Sequence, residues 1–357
     1  MSNEFTPIDH KNNSDHCIVS TLKKRKCTDD DNSYFRSYAD IEIHEDMIAD
    51  SVRTSAYRTA ILKNYRQLYK KTVIDVGAGT GILSIFCVQA GAKHVYAVEA
   101  SDMARQIEKL AAANNMQHRI TVLHGKLEDM NLPESVDCIV SEWMGHSLLY
   151  ESMLESVLYA RDHWLKPGGI ILPDHAQLFM APIADADHLP PRLSFWDTVP
   201  QDMYKINMAS MRTYAEQCLM SRPHVMEVPG YWLQSHPQKL CDIDLYTVTT
   251  ADLKTIEASF EFSCFGSTDI NGFVVWFSVR FPGHITLSTS PYDSVTHWCQ
   301  TVLYCQSMPV EQDSKVQGHL ELRQSQANHR HLHITLKYRA DDQSELEQVY
   351  SMGGDGS

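Results

Sequence analysis

Two glutamates, Glu142 and Glu151, stand in the stretch Ser141-Glu142-Trp143-Met144-Gly145-His146-Ser147-Leu148-Leu149-Tyr150-Glu151-Ser152-Met153. An apolar run, Val136 to Val140, precedes it and reads as a buried strand. Leu154, Val157, Leu158, Trp164 and Leu165 recur after it at helical spacing. Glu142 therefore falls at the carboxyl end of a strand and Glu151 near a helix start, at the edge where open parallel sheets bind ligands. Two carboxylates brought together there repel each other and require a cation between them. A guanidinium suits them: it stays charged in any protein environment and presents a flat face of donors. Held on two edges, it lies flat with one nitrogen aimed at an electrophile, and the carboxylates draw positive charge from that nitrogen so that its lone pair can attack. This chemistry requires Glu rather than Gln at both positions. The blander alternative is two surface acids near a helix N-terminus, where acids are favourable anyway.

The electrophile has its own candidate site. Asp75-Val76-Gly77-Ala78-Gly79-Thr80-Gly81 supplies a G-x-G-x-G turn; the dinucleotide fingerprint would need a further glycine where Ile82 stands. Glycine lets the backbone approach a ligand and turn sharply into a helix. Glu99 ends the next strand, placed for ribose hydroxyls, and Glu128 follows the third strand, where it suits an adenine amino group. An aspartate before the turn and an acid at the next strand end favour S-adenosylmethionine over NAD. The alternatives are glycines kept for helix–strand packing and, for Glu128, a plain loop carboxylate.

These residues need a frame. Residues 1–33 are polar and patternless and are expected to form a disordered tail containing Lys23-Lys24-Arg25-Lys26, which reads as a nuclear import signal or a solvated charge run. From Tyr34, Ile43, Met47, Ile48, Val52, Tyr57, Ile61 and Leu62 predict one or two amphipathic helices. Thr72–Val76, His94–Val98, Arg119–Leu123, Val136–Val140 and Ile170–Leu172 read as strands alternating with helices, Ser101 capping one of them and Lys166–Gly169 forming a turn. That alternation means α/β: a doubly wound, Rossmann-like parallel sheet over residues 34–172. From Pro173 the runs Gln177–Ala181, Ile256–Phe262, Gly272–Phe281, Val316–Leu322 and His331–Tyr338 predict an antiparallel β domain filling 173–357. Residues 188–220, rich in Trp, Tyr, Met and Phe, interrupt it as a helical insertion with either its own small core or an apolar arm for another subunit. Residues 353–357 read as a tail.

Composition narrows the partners. With 31 basic and 45 acidic residues the formal net charge is -14, which disfavours a general nucleic-acid binder and suits cationic partners, or serves solubility alone. Nine cysteines without a C-x-x-C pair fit a reducing compartment. No apolar run reaches membrane-spanning length and no secretory signal opens the chain, so an intracellular protein is expected. His329, His331 and His333 alternate on a strand, but no further ligand group accompanies them and no metal is expected.

The double-glutamate loop resembles that of the protein arginine methyltransferases. The likeness extends through His44-Glu45-Asp46-Met47-Ile48-Ala49-Asp50, Arg53-Thr54, the glycine turn and Thr296-His297-Trp298, in the family's order, over roughly residues 34 to 340. Val98–Ser101 and Asp75–Gly79 point to one subtype of its type I branch. The resemblance implies a class I methyltransferase domain, a barrel-like β domain and a dimerisation arm at 188–220. It implies that Gly77, Gly79, Glu99, Glu128, His44 and Arg53 bind S-adenosylmethionine, Arg53 through the methionine carboxylate, and that Tyr38 covers the site. Glu142 and Glu151 would clamp the substrate guanidinium, Met47 and Met153 would flank it, and His297 would pair with Asp50. His146 departs from the aromatic common in related loops, which leaves substrate preference there open. The activity implied is methyl transfer to arginine in proteins, histone tails and H3 among them, giving mono- and asymmetric dimethylarginine by a nuclear homodimer. Two other classes remain: a co-regulator binding arginine-rich tails without turnover, and a small-molecule methyltransferase, for which a closed apolar pocket would be expected.

Overall fold

A computed structural model of the chain describes residues 29–353; the basic cluster at 23–26 and the last four residues lie outside the described part. Four helices open it: α1 (Asp29–Ser37), α2 (Ile41–Ala49), α3 (Ser51–Lys63) and the short α4 (Tyr65–Leu68). The one or two helices expected here are broken by acids that cap. Asp40 accepts from the Glu42 amide at 3.1 Å and Asp50 from the Arg53 amide at 2.9 Å, each starting a new helix while the apolar period runs on. The boundary drawn at residue 33 is also corrected. Helix α1 is described from Asp29, and Asp31 is buried against Lys126 and Arg330, so the last residues of the expected tail are folded structure.

Next come β1 (Thr72–Val76), α5 (Ile82–Gln89), β2 (His94–Glu99), α6 (Ala104–Ala113), β3 (Ile120–His124), β4 (Val136–Val140), α7 (Leu154–Trp164) and β5 (Leu165–Leu172). The strands form one parallel sheet in the order β3-β2-β1-β4-β5. Every residue of β1 is buried, the pattern of a strand covered on both faces. The strand order reverses between β1 and β4, and the crevice outside their carboxyl ends is where such sheets hold ligands. Lys166–Gly169, expected as a turn, is drawn into β5, with a register shift against β4 between Val136 and Cys138. Ser101 accepts the Met103 amide at 3.2 Å in the turn ahead of α6 rather than capping the helix itself.

The remaining elements are β6 (His175–Ile183), α8 (Leu189–Tyr204), α9 (Arg212–Met220), β7 (His224–Met226), β8 (Gln238–Asp244), β9 (Thr255–Ser263), β10 (Thr268–Phe281), β11 (Ile285–Ser288), β12 (Gln300–Val310), β13 (Lys315–Gln324), β14 (Leu332–Ala340) and β15 (Leu346–Met352). One antiparallel sheet runs β7-β12-β10-β6-β8 with β11 on β10, the other β15-β14-β13-β9. Phe260, Phe262, Phe273 and Tyr338 pack between them, and Gln238 and Tyr350 tie their edges through hydrogen bonds to Ser259, Glu261 and Tyr304. Helix α8 starts where Asp185 accepts three successive amides, of Asp187, His188 and Leu189, with Pro190 and Pro191 in its first turn. The insertion has a small core through Leu189, Leu193, Leu219 and Trp232, yet leaves Met203, Tyr204, Ile206 and Tyr214 more than half exposed. The described cysteines carry free thiols; Cys87, Cys138, Cys264 and Cys305 are buried, acting as small apolar residues. No described helix is long and apolar enough to cross a membrane.

Candidate active site

A cavity of about 720 Å³ opens outside the carboxyl ends of β1 and β4, roofed by α1 and α2. Among the residues singled out from the sequence, Tyr38, His44, Met47, Arg53, Gly77, Gly79, Glu99, Glu128, Glu142, Glu151, Met153 and His297 all line it. Asp50 lies behind His297.

One end is built on the glycine turn. The amides of Gly77 and Ala78 donate to the Val98 carbonyl at 3.0 and 2.9 Å, pinning the turn to β2. Gly77 (φ +70°) and Gly79 (φ +54°) adopt the left-handed region. A Cβ would lie 2.7 Å from Met153 Cε at the first and 3.2 Å from His44 Cε1 at the second, so these positions demand glycine for conformation and for space. The amides of Gly79 and Ser101 each donate to Glu99, to Oε2 and Oε1 respectively, both at 2.7 Å. Glu99 is thus fixed through both oxygens, with further lone pairs for two neighbouring hydroxyls. Glu128 takes a 2.6 Å hydrogen bond from Ser156 on α7, a partner the sequence reading missed. A turn with no room for side chains, an acid fixed for a diol and an acid placed for an amino group fit the nucleoside part of S-adenosylmethionine. Behind the turn, complete burial pushes the Asp75 carboxyl up to about 7 despite a 2.7 Å hydrogen bond from Ser84.

The other end holds the carboxylate pair. Glu142 accepts from Arg53 through Oε2 alone, from Nε at 3.1 Å and Nη2 at 3.0 Å, while Arg53 Nη1 donates to the Met47 carbonyl at 3.1 Å. Arg53 thereby links the end of α2 to Glu142 through its planar fork. Glu151 differs. Its Oε2 accepts from the Tyr38 hydroxyl at 2.7 Å and the Tyr34 hydroxyl at 3.1 Å. Burial raises its pKa above the ordinary value of 4.5; the two phenols oppose that rise, the negative charge of Glu142 adds to it, and Arg330 opposes it. Burial also raises both tyrosines, which therefore stay protonated donors.

The β domain supplies the third wall. His297 donates from its backbone amide at 3.0 Å and bonds through Nδ1 at 2.8 Å to Asp50 Oδ2. Burial opposes ionisation of Asp50, but these bonds and the Arg53 amide outweigh it and keep its pKa below the usual carboxylate value. Trp298 donates Nε1–H to the Met144 carbonyl at 2.8 Å, His146 Nδ1 lies 3.2 Å from the Trp298 carbonyl, and Ser147 bonds Thr301 at 3.0 Å. The loop between the two glutamates is therefore gripped from the β domain. His331, one of the alternating histidines, stacks on Tyr150. Tyr34 could have been found from the sequence, since it shares a helix face with Tyr38 four residues on. Arg330 carries no local signal.

The family profile described as an arginine methyltransferase oligomerization subdomain matches residues 174–343, and one described as a methyltransferase domain matches residues 73–169. The chain is similar to protein arginine N-methyltransferase 6 of Xenopus tropicalis, 47% identical over 341 residues that span 94% of this chain and 100% of that protein. The Danio rerio protein of the same name is 48% identical over 337 residues, 92% of this chain and 96% of that one. Among solved structures, a Trypanosoma brucei PRMT1 enzyme–prozyme heterotetrameric complex with AdoHcy aligns with a TM-score of 0.81 at 31% identity, covering 88% of this chain and 99% of that chain. Arabidopsis thaliana protein arginine methyltransferase 10 aligns with a TM-score of 0.79 at 32% identity, covering 89% and 99%.

Proposed function

The chain belongs to the protein arginine N-methyltransferases, which use S-adenosylmethionine, and on that premise we propose that it methylates arginine in histone tails, H3 among them, giving mono- and asymmetric dimethylarginine. What supports the reading is that Glu142 and Glu151 open onto one cavity with the glycine turn, and that Glu142 binds a guanidinium, that of Arg53, through only one of its oxygens. Its other oxygen and the Glu151 carboxylate are the acceptors for an incoming arginine.

S-adenosylmethionine, when bound, supplies an electrophilic methyl on a sulfonium. Gly77, Gly79, Glu99 and Glu128 would hold its nucleoside end. Glu142 and Glu151 orient the guanidinium plane and draw its charge from the attacking nitrogen. Met47 and Met153, which line the same cavity, would flank the clamp, and the asymmetric product is proposed on the likeness at Met47. His297, held by the ionised Asp50, orients or relays at the rim; no strong base is required, because the proton can leave once the nitrogen is methylated.

The proposed setting is the nucleus and chromatin regulation, on the strength of Lys23–Lys26 and the acidic chain. The proposed assembly is a homodimer through the arm of α8 and α9, supported by its exposed Met203, Tyr204 and Tyr214 and by the oligomerization profile over residues 174–343. The deciding experiment incubates the enzyme with labelled S-adenosylmethionine and histone H3 tail peptides containing arginine or lysine, then identifies the methylated amino acid after hydrolysis. Asymmetric dimethylarginine is expected. Methyllysine or an unlabelled peptide would overturn the substrate assignment, and symmetric dimethylarginine would overturn the product assignment alone.

A further inference from the structure

Arg330 lies in the connection between β13 and β14, far in sequence from every motif above, and is 8% exposed. Its guanidinium does three things at once. Nε and Nη2 bond Asp31 Oδ1 on α1, at 3.1 and 2.7 Å. Nη1 donates to the main-chain carbonyl of Glu151 at 2.8 Å. The plane lies over the Tyr34 ring, its carbon 3.8 Å from the centroid. The Arg330 carbonyl in turn accepts the Glu151 amide at 2.8 Å. Glu151 and the following Ser152 hold φ of +77° and +55°, left-handed conformations that non-glycine residues disfavour and that surrounding contacts must impose. The same connection supplies more of them: Ser152 Oγ donates to the His329 carbonyl at 2.5 Å.

Glu151 is thus gripped twice. Its backbone is held by Arg330, and its carboxylate is held by Tyr34 on α1, the helix that Arg330 also holds, and by Tyr38 just past the end of that helix. Asp31 absorbs the guanidinium charge, which leaves the Glu151 carboxylate for another cation. We propose that Arg330 is a positioning residue that couples the seating of α1 over the cavity to the aim of the Glu151 carboxylate. Only a planar fork bonds a carboxylate on one edge, a carbonyl on another and a ring on its face; a lysine ammonium offers a point charge without the plane. The inference rests on the proposed role of Glu151 as a substrate clamp.

The test compares Arg330→Ala, Arg330→Lys and Asp31→Ala with the wild type at saturating S-adenosylmethionine and arginine peptide, over a range of pH. Arg330→Ala is expected to lower kcat roughly 10- to 100-fold, the scale of a misaimed catalytic group, with a smaller change in cofactor Kd. The groups facing Glu151 are Tyr34 from α1, Tyr38 just past its end, Glu142 from the end of β4, the neighbouring Tyr150 and Arg330 itself. Unseating α1 removes the phenols that favour its ionised form, so the acid limb of kcat should move to higher pH in Asp31→Ala, where the Arg330 charge remains. Arg330→Lys, which keeps charge and bulk should the alanine variant fail to fold, is expected to recover less than half of the lost kcat. Wild-type kcat in Arg330→Lys, or an unmoved acid limb in Asp31→Ala, would overturn the coupling. Glu151→Gln, run alongside, separates the two ideas: if it turns over normally the clamp itself is wrong, whereas if it is dead and Arg330→Ala is not, only the coupling fails.

Discussion

Replacing Tyr38 by Phe removes one oxygen and leaves the ring against Tyr34 and His44. The lost group is the nearer of two donors to Glu151 Oε2, at 2.7 Å against 3.1 Å for Tyr34. A hydrogen bond to a charged group contributes about 1.5–3 kcal/mol, and 1.36 kcal/mol corresponds to about one pKa unit. The ceiling on the effect is therefore about one to two units, and the retained Tyr34 bond together with entering water reduces it to about half to one unit. The sign follows from which form the bond favours. The phenol stabilises the carboxylate, so its loss raises a pKa that burial already holds above 4.5. Binding a guanidinium requires the ionised form, so activity falls as pH drops through that raised value. The acid limb of kcat/KM for an arginine peptide should thus move to higher pH in Tyr38→Phe, with the alkaline plateau reduced less than the mid-pH rate. The peptide guanidinium stays charged throughout, which removes the substrate as the source of the limb. Stopped-time assays at fixed ionic strength between pH 5 and 9 measure it. An acid limb that stays put, or moves down, refutes the idea that Glu151 acts as an ionised clamp supported by α1.

Glu142→Ala strands the Arg53 guanidinium, whose side chain is 7% exposed; breaking such a buried pair costs about 3–5 kcal/mol, so urea unfolding should show a loss of about that size together with loss of turnover. Gly79→Ala forces a side chain into a left-handed site 3.2 Å from His44; about 1–2 kcal/mol of strain should weaken S-adenosylhomocysteine binding about tenfold in calorimetry, with the β domain's near-ultraviolet signature intact. The pair Met203→Lys and Tyr204→Lys places charges on side chains 65% and 66% exposed and should convert a dimer to a monomer in light scattering without lowering the melting temperature of the monomer. A wild-type elution profile for that variant would count against the arm as the dimer contact.

The parallel sheet and its glycine turn were legible because they are written locally. Five consecutive buried residues in β1, a run of glycines and an acid at the next strand end need only short-range geometry to announce a ligand edge. The strands of the β domain likewise follow from apolar runs and turns. The helical opening was read less well. Asp40 and Asp50 interrupt an apolar period that continues across them, and the stretch up to residue 33 carries no pattern that sets it apart from a tail. Asp31 is instead buried because Lys126 and Arg330, 95 and 299 positions away, come to it in the fold.

What the chain by itself determined was which acids, glycines and histidines were available and that Glu142, Glu151, Gly79 and Glu99 would meet at one sheet edge, because hydrogen-bonded periodicity carries residues to that edge wherever the rest of the chain goes. Which partner each took was decided only in three dimensions. Arg53 on Glu142, two phenols on Glu151 and Arg330 beneath it depend on distances between segments that no local spacing encodes, and a buried charge takes the counter-group that the tertiary packing brings within reach.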